Sequence, residues 1–122
     1  MATALNLQQL NQELKHPQWL RSFQWHECVD STNSLARKMV QDCTAALPAL
    51  IVADQQTQGR GRSNHTWWSP RGCLMMTLAV PSGLLPRERS LWGQLALLAG
   101  VAVGEAVEWT VSGSQVQLKW PN

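Results

Sequence analysis

Charge is scarce in this sequence. Charged residues make up 15% of the 122, and the formal net charge is only +2. That is too little for general nucleic-acid binding. Tyrosine is absent and phenylalanine occurs once, whereas tryptophan occurs seven times; most of those rings are expected to serve packing. The three cysteines, Cys28, Cys43 and Cys73, are odd in number and widely spaced. This excludes a disulfide framework or a zinc site and leaves small apolar core or surface residues. His16, His26 and His65 also lack ligand spacing, so no metal site is expected within the chain. There is no internal repeat and no low-complexity tract. Met1 to Lys15 lacks the apolar centre of a signal peptide, and the uncharged run Ser90 to Gly104 falls short of the roughly 20 residues that span a bilayer. These absences predict a cytoplasmic protein without a membrane segment. The hydrophobic content of 44% suits one globular domain with a core of its own.

Leu5, Leu7, Leu10 and Leu14 recur at near-helical spacing and predict a short amphipathic helix closed by Pro17. Phe23 to Val29 alternates as a strand. Asp30-Ser31-Thr32-Asn33 is dense in N-cap residues and opens a helix through Gln41, with Leu35 and Met39 on one face. Leu50 to Ala53 and Cys73 to Val80 predict buried strands, separated by a polar loop that runs to Gly72. Arg87 to about Trp109 predicts a long helix, apolar around its circumference and therefore well buried. In it Gly93, Gly100 and Gly104 allow close approach to a sheet. Gln115 to Leu118 alternates again. The order α-β-α-β-β-α-β is mixed α/β or α+β, with helices covering one sheet.

Three segments carry residues suited to chemistry. Gln56-Thr57-Gln58-Gly59-Arg60-Gly61-Arg62 has no apolar period, so contact explains it better than burial. Glycine lets backbone N–H groups approach an anion, and arginine adds a planar donor fork. A Walker loop and a dinucleotide fingerprint are both excluded by glycine spacing. A solvated loop and an RNA-contacting loop stay open. Ser31-Thr32-Asn33 holds more polar groups than a cap needs, and the surplus suits a polar ligand. Lys119-Trp120-Pro121-Asn122 reads equally as a strand end with a turn or as a cation beside an anionic ligand.

Taken in order, Ser31-Thr32-Asn33, Gln56-x-x-Gly59-Arg60-Gly61-Arg62, Trp67-x-Ser69-Pro70-x-Gly72 and Lys119-Trp120-Pro121-Asn122 resemble the motifs of biotin–protein ligase catalytic domains. The resemblance runs from about Phe23 to the last residue; lipoate–protein ligases are less similar. It implies an α+β fold, a mixed sheet with helices on one face, like that of class II aminoacyl-tRNA synthetases. Residues 1–22 would form an N-terminal helix and linker, and residues 23–122 part of the catalytic domain.

The implied chemistry is ATP- and Mg2+-dependent formation of biotinyl-5′-AMP, followed by transfer of biotin to a lysine of the biotin carboxyl-carrier protein of acetyl-CoA carboxylase. Ser31, Thr32, Asn33, Gln56 and Gly72 would bind biotin. Gly59, Arg60, Gly61, Arg62, Trp67, Lys119 and Asn122 would bind ATP and the adenylate, with Arg62 and Lys119 in the catalytic role. The loop would order over the adenylate and exclude water. The family's motifs continue beyond the position of Asn122 with an aspartate and a later lysine, so about half of the catalytic domain is expected here. A non-catalytic biotin- or adenylate-binding remnant, or a complementing fragment, is the alternative. Met1 to Trp19 is too short for a helix-turn-helix, so DNA binding is not expected. A homodimer is compatible with the resemblance.

Overall fold

The computed structural model describes residues 6–14 and 18–119, which fall into two compact units divided after Pro81. The first opens with α1, Leu7–Glu13, capped by Asn6. Its side chain accepts from the Gln9 backbone N–H while the Gln9 side chain accepts from that of Asn6. The predicted ends at Leu5 and Pro17 lie outside the described residues.

The strand β1, Ser22–His26, pairs parallel with β2, Ala49–Ala53, and β2 pairs antiparallel with β5, Met75–Ala79. The α2 helix, Thr32–Gln41, lies between β1 and β2 in sequence and packs on one face of this sheet. Its Ala36 and Met39 form the core with Ala49 and Ile51, and Leu35 and Ala79 pack against that cluster. Only every second residue of β2 is fully buried, as the two-residue period of a strand requires. By register, Phe23, Trp25, Leu50, Val52, Met76 and Leu78 share the opposite face, where Trp25, Met76 and Leu78 are each exposed. The expected mixed sheet with a helix on one face is therefore present.

Several expectations need correction. The first strand ends at His26, not Val29; Val29 instead makes an isolated parallel bridge to Gln56. The supposed loop from Gln56 to Gly72 is largely an antiparallel hairpin of β3, Gln56–Arg60, and β4, Thr66–Ser69. Backbone pairing stabilises strands this polar. Besides the hairpin ladder, Thr57 N donates to Val29 O at 2.9 Å and Gln58 N to Asp30 O at 2.8 Å. Only the tip is irregular, with Ser63 and Asn64 at positive φ. The tryptophans among the described residues are not buried: Trp19, Trp25, Trp67, Trp68, Trp92 and Trp109 are all exposed. Trp25 and Trp92 use their ring N–H groups on Asp54 Oδ1 and Pro86 O, the polar handle that keeps this side chain at boundaries.

The second unit contains α3, Gly93–Thr110, preceded by a 3-10 turn over Arg89–Trp92. Only Gly104 of α3 is buried, so the expected burial of this helix is not found. Counted from Arg89 to Thr110 it has 22 residues, and an 18-residue stretch within it has a mean hydropathy of 1.4. By length and composition alone that would suffice to cross a bilayer, because the helix runs on past Glu105 and Glu108. The all-round apolar core helix of a soluble domain has the same character. Gln115 to Leu118 is not a strand in this structure. It runs back along α3, where a Cβ on Gly104 would meet Val116 at 3.3 Å and one on Gly100 would meet Leu118 at 3.7 Å. The glycines thus admit an extended segment rather than a sheet.

Glycine is required at two hairpin positions for different reasons. A Cβ on Gly59 would lie 2.7 Å from Ser69 Oγ and 3.0 Å from the backbone oxygen of Trp67, whereas one on Gly61 would meet mainly the Trp67 ring, at 2.5 Å. A ring can rotate and a paired strand backbone cannot. Gly59→Ala is expected to destabilise the fold by about 1–3 kcal/mol and Gly61→Ala by less, as measured by thermal or denaturant unfolding.

Candidate functional site

The first turn of α2, the β3–β4 hairpin and the start of β5 enclose a cleft of about 430 Å³, whose lining includes Ser31, Thr32, Asn33, Gln56, Arg60 and Trp67. Among the described residues the buried polar ones are Ser31, Thr32 and Ser69, and all three line this cleft. Polar side chains are buried at a cost unless hydrogen bonded, and here each is bonded. Ser31 caps α2 by accepting from Ser34 N at 3.4 Å. Thr32 donates to Gln56 Oε1 twice, from its backbone N–H at 2.8 Å and from its hydroxyl at 3.1 Å. Gln56 Nε2 donates onward to Ser69 Oγ at 3.4 Å.

Strand pairing brings Gln56 here. Its bridge to Val29 holds the start of β3 beside the chain that leads into α2, and Asp30 Oδ1 accepts from Ser31 N at 2.6 Å on the same path. Four residues on, Arg60 Nη2 donates to Ser34 Oγ at 3.0 Å. That sets a permanent cation near the positive end of the α2 dipole. One end of the cleft therefore offers neutral donors and acceptors, and the other a cation. Leu74, Met75 and Met76 supply apolar wall. A neighbouring hollow of about 400 Å³ is lined by Gly59, Arg60, Gly61 and Trp67 together with the hairpin tip.

Eight of the sequence-predicted residues therefore converge: Ser31, Thr32, Asn33, Gln56 and Arg60 at the cleft, Trp67 at both hollows, and Gly59 and Gly61 beside Arg60, lining the second hollow. Others do not. Arg62 is exposed in the 3-10 turn Arg62–Asn64 and lines neither hollow. Gly72 stands before β5 at φ +96°, with open space where a Cβ would be. Lys119 is exposed in the second unit, and Asn122 lies outside the described residues. Sequence reasoning gave no role to Ser69 or Thr77. Ser69 stood inside the Trp67-x-Ser69-Pro70 motif, but Thr77 looked like an ordinary strand residue.

The arrangement is matched in known proteins. The Bacillus subtilis bifunctional ligase/repressor BirA is 35% identical over 98 residues, which are 80% of this chain and 29% of that protein. The human biotin–protein ligase is 31% identical over 123 residues, covering 96% of this chain and 16% of that one. Among solved structures, the Helicobacter pylori biotin acetyl coenzyme A carboxylase synthetase with bound biotinylated ATP superposes with a TM-score of 0.70 at 28% identity, covering 83% of this chain and 47% of that one. The Leishmania major biotin protein ligase in complex with biotinyl-5-AMP gives a TM-score of 0.67 at 32% identity, over 83% of this chain and 45% of that one. The chain thus spans less than half the length of each of these relatives. Residues 25–122 match the biotin/lipoate A/B protein ligase family, and the chain belongs to that family.

Proposed function

We propose that this chain provides the biotin- and adenylate-binding part of a biotin–protein ligase. The observation that carries the reading is the neutral constellation of buried Thr32 and Ser69 with half-buried Gln56, beside a single cation, Arg60. A cyclic urea with an apolar carboxylate tail needs this gradient: neutral hydrogen-bond partners for the ring, apolar walls for the chain, and positive charge where the carboxylate meets a phosphate. Relatives and neighbours that carry ligase names, with biotinyl-5-AMP or biotin and ATP in their structures, support it.

Activation joins two anions, the biotin carboxylate and the α-phosphate of ATP. The barrier falls only if the site supplies positive charge that strengthens toward the transition state. Arg60 stands where the hairpin meets that charge, and Trp67, which lines both hollows, offers a flat face for the nucleotide. Arg62, in the 3-10 turn at the hairpin tip, is proposed to join Arg60 on adenylate binding, and Lys119 to serve the phosphates, with Mg2+ entering bound to ATP. The acyl group would pass to a lysine of a carboxylase carrier domain, the amine displacing AMP from the mixed anhydride. On this reading α3 is an internal helix of the ligase domain, since the family match runs through it.

Calorimetry with biotin, followed by pyrophosphate release with biotin, ATP and Mg2+, tests the proposal. Heat of binding together with biotin-dependent pyrophosphate supports the ligase reading. Binding without pyrophosphate supports a non-catalytic biotin-binding chain, and no binding at millimolar biotin rejects both. Gln56→Leu is expected to weaken biotin binding roughly 10–100-fold, because it leaves the Thr32 N–H without its partner. Arg60→Ala is expected to speed the escape of preformed biotinyl-5′-AMP by a similar factor, read by stopped-flow fluorescence of the tryptophans at the cleft. Unchanged escape would remove Arg60 from the adenylate site.

A further inference from the structure

Thr77 lies on β5, on the strand face that meets α2, and touches the candidate site only from behind. Its Oγ1 lies 2.9 Å from Thr32 Oγ1 and 2.7 Å from Asn33 Oδ1. A hydroxyl has one proton, so Thr77 donates to one of these two at a time. The Gln56 end of the same chain has no such freedom. The backbone N–H of Thr32 donates to Gln56 Oε1, which fixes that atom as an acceptor and turns the Gln56 amide NH2 toward Ser69.

The remaining protons can then be counted. If Thr77 donates to Thr32, the Thr32 proton goes to Gln56 Oε1, 3.1 Å away. If Thr77 donates to Asn33, the Thr32 proton goes to Gln56 or to Thr77. Each ordering keeps the Thr32 proton within the protein, and the hydroxyl offers the cleft a lone pair and no donor. With partners on two different strands, Gln56 of β3 and Thr77 of β5, the Thr32 side chain is also held in one rotamer.

We infer that Thr77 is a positioning residue that holds the Thr32 hydroxyl in the rotamer from which its proton goes to Gln56, so that the site selects ligands presenting an N–H at that point. This rests on the biotin reading of the cleft, where that N–H is one of the two on the ureido ring. Without the Thr77 hydroxyl, Thr32 loses one partner, gains rotamer freedom and can turn its proton toward the ligand. The selection for N–H then weakens along with the affinity.

The test is calorimetric, on the full chain, with biotin and with biotin methylated singly at each ureido nitrogen. The wild type is expected to bind biotin and to reject one of the two methylated forms. Thr77→Val is expected to bind biotin about tenfold more weakly and to discriminate less between biotin and the rejected analogue; Thr77→Ser, which keeps the hydroxyl, should restore both. Wild-type indifference to methylation at either nitrogen overturns the inference even if the valine variant fails to fold. So does a valine variant that binds biotin as the wild type does, one whose losses are equal for biotin and analogue, or a serine variant that restores nothing. A wild-type chain that binds no biotin overturns the biotin reading itself, and this inference with it.

Discussion

The Gln56 carboxamide against the first turn of α2 is the contact on which the site depends. It accepts from both the backbone and the hydroxyl of Thr32 and donates to Ser69. One side chain thereby joins a helix N-terminus to both strands of a hairpin. Leucine or methionine would fill the same volume, but would leave the helix N–H and two buried hydroxyls competing for too few partners. The hairpin needs the contact as much as the helix does. Its strands are polar and bury little, so backbone pairing and this contact hold them where apolar packing cannot.

Charge is placed with similar economy. The cleft carries a cation at one end and neutral groups at the other, because Gln56 and Arg60 are four residues apart on one strand. A ligand that satisfies both must have a neutral hydrogen-bonding head and an anionic tail, joined by an apolar spacer. The apolar wall of Leu74, Met75 and Met76 fits such a spacer. Biotin has this form, and its adenylate extends the anionic end toward the arginine.

The parts of the fold that bury apolar side chains were legible in the sequence. Ile51 and its neighbours on β2 and the strand at β5 stood out as apolar runs, Leu35 and Met39 on α2 stood out by period, and all fell within a few residues of prediction. The hairpin was not legible, because Gln56 to Arg60 has no apolar alternation and is held by hydrogen bonds to Val29 and Asp30 that leave no mark on composition. Gln115 to Leu118 failed in the opposite sense: its alternation was real, but the segment lies along the glycine face of α3 instead of in a sheet. The long helix showed its composition plainly, but composition could not say what covers it. At the site, the motif residues Thr32, Asn33, Gln56 and Arg60 were identified and do converge. Thr77 was invisible, since a threonine in a strand gives no hint that its hydroxyl reaches the first turn of a helix 45 residues earlier in sequence.

The central claim is that the Thr32–Gln56 pair receives the ligand's neutral head. Side-chain and backbone amide resonances report on it directly. Titrating biotin into the labelled protein, the account predicts saturable shifts of the Gln56 side-chain NH2 and the Thr32 backbone N–H, larger than those at α1 or α3. Saturable binding that leaves both of these resonances unmoved would contradict it.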